Sequence, residues 1–189
     1  MFGNDGDFSH EKMIQKVNTN LANELGNLCQ RTLSMVVKNC NGGVPTVIGS
    51  YTSQDQELLT KINGLRNEAS SAISNQAIQK YVEVMVSAVW EANKYIDVMA
   101  PWALKKTDPA RMTTVLYVVM EVLRKVAILY QPLIPTAANK MLDQLGVPET
   151  ERTFDHLVDD FSIRLGTPIS KPEGIFPRIE YAKEEMVLK

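Results

Sequence analysis

The chain has 189 residues, 44% of them hydrophobic and 22% charged, with a formal net charge of −2. That length suffices for one compact domain with its own core, and the composition is that of an ordinary soluble globular protein. A negative net charge excludes a protein whose overall charge attracts nucleic acid. Any RNA contact therefore needs a local cluster of Lys and Arg. Because no signal peptide and no apolar run of about 20 residues can be identified, we expect a cytoplasmic protein without a membrane partner.

The first predicted helix begins after an N-cap at Ser9 and continues to about Lys38, before the Asn41-Gly42-Gly43 turn. One face carries an inner set of residues at helical spacing: Ile14, Leu21, Leu25, Cys29, Thr32 and Val36. The opposite face is polar and comprises Asn20, Asn23, Asn27, Arg31, Ser34 and Lys38. Cys29 is therefore predicted to be a small buried residue.

Four more helices are predicted, over about residues 52–71, 74–100, 108–130 and 136–145. Pro101 stops the third helix because proline lacks a backbone donor, and Asp108-Pro109 starts the fourth with a cap and a proline at the first position. Trp90 lies within the amphipathic third helix and is predicted to be structural. The fold class is all-α, with residues 9–148 forming an antiparallel helix bundle and residues 149–189 an irregular strap and tail packed on it.

No catalytic arrangement can be identified, since the chain lacks a glycine-rich phosphate loop, a nucleophile–base pair and carboxylates in a known motif. The two cysteines and two histidines lack the spacing of a zinc site. His10 and His156 are predicted to be surface or capping histidines. We expect no catalytic residue, no metal and no cofactor in this chain.

Two features suggest contact with RNA. Asn27 and Arg31 are four residues apart, so their side chains leave the helix side by side and could bond the edge of an unstacked base. A solvated helix face would show the same spacing. Trp102 follows the break at Pro101, and its ring either packs on the bundle or offers a platform on which a base can stack.

The segment between Trp102 and Tyr130 has a surplus of positive charge. It contains two acidic residues and five basic ones, namely Lys105, Lys106, Arg111, Arg124 and Lys125. Such a surplus suits phosphate contact near the Trp102 ring, although a solvated helix face would look the same.

Four segments, in order, resemble the anticodon-binding domain of methionyl-tRNA synthetases, and together they cover about residues 8–180. They are LANELGNLCQRTLSMV (21–36), EANKYIDVMAPWALKK (91–106), LYQPLIPTAANKMLDQLG (129–146) and GTPISKPEGIFPRIE (166–180). The resemblance implies an all-α bundle of the class I synthetase anticodon-binding type. It also implies binding of the anticodon stem-loop of methionine tRNA.

The resemblance assigns roles to particular residues. It implies that Asn27, Arg31 and Trp102 recognise the CAU anticodon, chiefly its first base, cytosine. Asp97 would disfavour wrong bases or hold Arg31, and Pro101 would shape the turn that presents the ring. The candidates for phosphate contact are Lys38, Lys105 and Lys106.

The family's HIGH-like and KMSKS-like motifs are absent, so the resemblance implies the C-terminal part of a longer synthetase. Residues 1–8 would be the remnant of the link to a catalytic domain, and that domain would be a second partner. The parent enzyme would ligate methionine to tRNA with ATP and Mg²⁺, whereas this chain alone would be an inactive monomer. The alternatives are a helical protein-interaction module without RNA function and the anticodon domain of another class I synthetase, although the A-P-W segment argues against the latter.

Overall fold

The structure is a computed structural model that describes residues 9–180. Its α-helices are α1 (His10–Lys16), α2 (Asn27–Asn39), α3 (Ser53–Ser74), α4 (Ile78–Met99), α5 (Pro101–Thr107), α6 (Pro109–Tyr130) and α7 (Pro135–Gln144). Three short 3₁₀ turns follow, at Glu149–Glu151, Phe154–Leu157 and Asp159–Phe161. Within this range the only β-type pairing is an isolated bridge between Gly43 and Pro168, so the predicted all-α class is confirmed.

The N-terminal helix is continuous, as predicted, but its middle is not α-helical. The Ser9 hydroxyl caps α1 by accepting from the Lys12 amide at 3.3 Å, and a π-helical segment, Val17–Gly26, joins α1 to α2. Apolar periodicity does not distinguish this wider winding from an α-helix over so short a range. Cys29 is fully buried, and burial raises the pKa of its thiol to about 12, which confirms the prediction of a buried cysteine.

The region around α4 corrects two predictions. Ser74 ends α3 rather than starting the next helix, and α4 begins at Ile78. At the other end, Ala100 takes a left-handed conformation with φ +42°, which ends α4, and Pro101 occupies the first position of α5. The sequence missed α5 because a proline that cannot continue one helix is equally suited to start the next.

Helix α6 forms the centre of the bundle. Asp108 caps it by accepting from the Arg111 amide at 2.9 Å, and Pro109 takes its first position, as predicted. Every residue from Thr114 to Tyr130 is buried, because α2, α3, α4, α5 and α7 all pack around this helix. Despite this burial, no helix in the described range combines the length and apolar character needed to cross a bilayer.

Residues 149–180 form an extended strap that is fastened to the bundle by polar side chains. The Tyr117 hydroxyl donates to the Ile163 carbonyl at 2.9 Å, and the Ile163 amide donates to the Glu121 carboxylate at 2.6 Å. Asn18 bonds both backbone groups of Ile179 at 2.9 Å. Satisfying the strap's backbone in this way replaces the bonds of a regular element. The predicted link at residues 1–8 and tail at 181–189 lie outside the described residues.

Candidate nucleic-acid interface

The Arg31 side chain extends from α2 to α4, where two residues of α4 hold its terminal nitrogens. Its Nη1 donates to Oδ1 of Asp97 at 2.8 Å, and its Nη2 donates to Oδ1 of Asn93 at 2.9 Å. Asn93 is itself fixed, since its amide nitrogen donates to the Glu24 carboxylate and to the Val89 carbonyl, each at 3.1 Å. The plane of the guanidinium is therefore set before any ligand arrives.

Asn93 is a residue of this site that the sequence did not single out. It lies one turn before Asp97 on α4, so the two side chains reach Arg31 from adjacent turns. Its place in the N-x-Y-I segment, at this spacing from Asp97, was the signal that could have found it.

Trp102 lies in the first turn of α5, directly after the left-handed turn at Ala100. Pro101 is buried, whereas the Trp102 side chain is 49% exposed. The indole is thus not enclosed by the bundle, and it could offer part of its ring to a ligand. Its role as a stacking platform stays a prediction.

Asn27 is exposed on α2, one turn before Arg31. It lines an open groove of about 450 Å³ together with Gly26, Ile175, Phe176 and Arg178, so its surroundings include the strap. No hydrogen bond among residues 9–180 joins Asn27, Arg31 and Trp102 to one another. The structure brings Arg31 and Asp97 together, and the convergence of the three recognition side chains stays a prediction.

The basic surplus after Trp102 divides into two groups. Lys105 and Lys106 are exposed on α5 and, like Lys38 on α2, have no ion-pair partner in the described part of the chain. Their contact with phosphate stays a prediction.

The other basic residues of this surplus correct the sequence interpretation, because they belong to the fold. Arg111 pairs with Asp55 at 2.6 Å, Arg124 with Glu121 at 3.0 Å and Lys125 with Asp159 at 2.7 Å. A charge that becomes buried must be paired, which applies to Arg124, to Lys125 and to Asp55, the buried partner of the partly exposed Arg111. These three side chains are therefore committed to internal partners rather than offered to RNA.

Asp55 is the centre of a buried network that ties three helix ends together. Both of its oxygens accept from Arg111 at 2.6 Å, one also accepts from the Tyr95 hydroxyl, and the other from the Thr52 amide. Burial alone would raise the pKa of Asp55, but the bonds from Arg111, Tyr95 and Thr52 outweigh it and hold the pKa below its usual value. The Thr-x-x-Asp spacing at the start of α3 was the signal for this cap.

Trp90 and His156 both lie away from the Arg31 contact. Trp90 is 55% exposed, with the Lys94 ammonium 5.5 Å from its ring centroid, so the prediction of a structural tryptophan is wrong. It lies on the solvent side of α4, which an amphipathic pattern alone did not exclude. His156 caps a 3₁₀ turn by bonding Thr153, which confirms a capping histidine.

Comparison with known proteins identifies the relatives of this chain. A family model described as the anticodon binding domain of methionyl tRNA ligase matches residues 44–187, and one described as tRNA synthetases class I (M) matches residues 1–33. The chain is 44% identical to a methionine–tRNA ligase of Rhizobium meliloti over 94% of this chain and 34% of that protein. A methionine–tRNA ligase of Mycobacterium leprae is also 44% identical, over 97% of this chain and 34% of that protein.

Solved structures show the same similarity in three dimensions. The free form of Mycobacterium tuberculosis methionyl-tRNA synthetase matches with a TM-score of 0.91 at 40% identity, over 95% of this chain and 37% of that one. The same enzyme bound by methionyl-adenylate matches with a TM-score of 0.89, over 93% and 35%. The chain spans about a third of the length of the curated relatives it matches.

Proposed function

The chain belongs to the family of anticodon-binding domains of methionyl-tRNA ligases, and from this premise we propose that it binds the anticodon stem-loop of methionine tRNA and reads CAU. The observation that carries the proposal is a prearranged guanidinium beside the last turns of α4, with an exposed indole directly after that helix. Proteins that read RNA loops stack splayed bases on aromatic rings and bond their edges with side chains of this kind.

The cytosine edge requires both donors and an acceptor from the protein. Each terminal nitrogen of Arg31 carries two N–H groups, and one on each is used by Asp97 or Asn93. The remaining N–H groups can donate to cytosine, whereas the Asn27 carbonyl can accept from its amino group. Asp97 disfavours a base that presents only acceptors next to its carboxylate.

Holding Arg31 in advance should favour binding. A free arginine loses side-chain entropy when it is immobilised by a ligand, at a cost of about 0.5–1.5 kcal/mol. Asp97 and Asn93 impose that order in the unbound protein, and the Arg31 side chain is still 29% exposed. The Arg31 guanidinium is therefore held in a fixed orientation and is still accessible from solvent.

We propose that the lysines Lys38, Lys105 and Lys106 contact phosphates of the loop and stem. Their exposure and their lack of ion-pair partners among the described residues support this role. For the whole protein we propose that the chain acts in the cytoplasm as the tRNA-binding part of a monomeric methionine–tRNA ligase. Ligation with ATP and Mg²⁺ would belong to its catalytic domain.

The test compares two anticodon stem-loops, one with CAU and one with a changed first base, bound to the full chain. We expect tighter binding of the CAU loop, and Arg31→Ala should lower both the affinity and the preference between the loops. Arg66→Ala is the matched control, because that arginine also pairs with an aspartate but lies on α3, in an exposed pair with Asp155. Equal affinity of the unchanged chain for both loops at saturating concentration would contradict the proposal.

A further inference from the structure

Trp90 is more exposed than Trp102, although it lies within a regular helix that packs against three others. On α4 it shares a face with Lys94 and Asp97, which follow it by four and seven residues. This ridge, defined here as Trp90, Lys94 and Asp97, is the solvent side of the helix. A large ring in that position is accessible to a ligand from solvent.

Two lysines lie near the Trp90 ring, and the Glu83 carboxylate lines the same groove. The Lys94 ammonium lies 5.5 Å from the ring centroid and has no ion-pair partner in the range 9–180. Lys16 approaches from the N-terminal helix, also without such a partner, and helps to line an open groove beside the ring. An aromatic ring flanked by cations is the combination with which proteins hold single-stranded nucleic acid.

The groove beside Trp90 has room for a base. It measures about 650 Å³, and Val82 and Val86 form its apolar floor. The Glu83 carboxylate at its edge already accepts a hydrogen bond from Gln79 at 2.9 Å. The rest of its polar lining is Lys16, Asn20 and Ser87, without a guanidinium fixed by two partners like that of Arg31, so we expect the groove to accept any base.

The ridge leads directly to the proposed anticodon site. Asp97 belongs both to the ridge and to the Arg31 contact, and Pro101-Trp102 follows the end of the helix. From Trp90 to the end of α4 is about 14 Å at 1.5 Å per residue. That length corresponds to about four stacked nucleotides, so one RNA loop can reach both tryptophans.

We propose that Trp90 and Lys94 form a second RNA-binding site, in which an unstacked base of the bound loop lies on the indole. Its phosphate contacts Lys94, with Lys16 on the far side of the groove. The inference rests on the proposed function, and it adds a contact that contributes affinity without reading sequence. The exposed ring beside unpaired cations favours RNA, because each nucleotide brings both a base to stack and a phosphate to pair.

The chain has only two tryptophans, which allows a direct test. In Trp102→Phe all indole emission comes from Trp90, and we expect the CAU stem-loop to quench it to a saturating level. Trp90→Ala should weaken binding about tenfold, and by the same factor for the CAU loop and the loop with a changed first base. Trp90→Phe should bind within about twofold of the unchanged chain because a ring remains.

Ile73→Ala is the matched control, since Ile73 is a similarly exposed apolar residue at the far end of α3 and should leave RNA binding unchanged. If the unchanged chain discriminates between the loops but Trp90 is not quenched and Trp90→Ala binds as tightly, this inference alone is wrong and a protein contact takes its place. If discrimination is absent while the effects at Trp90 persist, the proposed function fails and the second site stands. A chain that binds neither loop overturns both.

Discussion

The two sides of the bundle use the same residue types for opposite purposes. On the side of α6 that faces the strap, Arg124 and Lys125 are almost fully buried, and each bonds a carboxylate and a further oxygen. Along the open face formed by α4 and α5, Lys94, Lys105 and Lys106 are exposed and have no ion-pair partner among the described residues. Burial, rather than residue type, therefore decides whether a cation is structural or available to a ligand.

The physical reason is the cost of removing a charge from water. A buried cation without a partner costs several kcal/mol, so the fold must supply one, and a cation in water carries no such requirement. Arg31 lies between these cases, because it is fixed by two internal partners and still partly exposed. Its Nε is a buried donor with no partner within residues 9–180. Arg124 and Lys125, by contrast, have their charges paired with carboxylates.

The largest effect is expected on the strap side. Glu121→Ala removes the partner of Arg124 and the acceptor for the Ile163 amide, and it should lower the free energy of unfolding by about 3–5 kcal/mol. Denaturant titration measures this loss. Asp155→Ala is the control, because its pair with Arg66 is exposed and should contribute at most about 1 kcal/mol. Similar losses for the two variants would remove the distinction between the two sides.

Acid should act on the buried network at Asp55. Because its pKa is lowered in the folded state, its bonds contribute fully above the unfolded value of about 3.9 and are lost as pH falls through the folded value. Asp55→Asn should cost about 1.5–3 kcal/mol at pH 7 and show a weaker loss of stability below pH 4. Thermal unfolding across pH 2–7 checks this. Parallel pH profiles for the variant and the unchanged chain would contradict it.

The open face should show the reverse pattern, with an effect on binding and none on folding. Trp102→Ala should weaken binding of the CAU stem-loop by about 1–3 kcal/mol and leave the unfolding free energy within about 0.5 kcal/mol. Paired binding and unfolding measurements on the same preparation decide the matter. A loss of stability comparable to that of Glu121→Ala would mean that the ring belongs to the core.

The smallest effect is expected for the exposed lysines. Lys105→Ala should reduce the slope of log affinity against log salt by about one and weaken binding to both stem-loops equally. The control is Lys61→Ala, which removes a lysine of α3 that already pairs with Glu91. A change in base preference for Lys105→Ala would show that this lysine reads the anticodon rather than its phosphates.

Much of the fold followed from local sequence signals. The caps at Ser9 and Asp108 are present as predicted, and α6 ends at Tyr130 as the prolines that follow indicated. The boundary between α3 and α4 was wrong by several residues, because Ser74 can either cap a helix or end one. Helix α5 was missed for the same reason at Pro101. Such signals indicate that a helix boundary exists, but they do not specify whether the residue ends the preceding helix or starts the next one.

The candidate site was only partly accessible from sequence. Arg31 and Trp102 were selected by spacing and by the break at Pro101, Asp97 was selected by its place in a family segment, and Asn93 emerged only from its contacts. The role of Trp90 was assigned wrongly, and Arg124 was counted in a surface charge surplus although it is buried, because neither spacing nor local charge reports which neighbours surround a side chain. That information depends on contacts between residues far apart in the chain.

By itself, the sequence determined the all-α class, most helix ends and the family to which this chain belongs. These follow from periodicity, capping and segment order, which are local properties of a chain. Only the tertiary structure decided that Arg111, Arg124 and Lys125 are paired within the fold and that Lys94, Lys105 and Lys106 face solvent. Desolvation depends on the folded molecule. Which charged side chains are paired internally and which remain accessible to a ligand is therefore decided when the helices and the strap pack together.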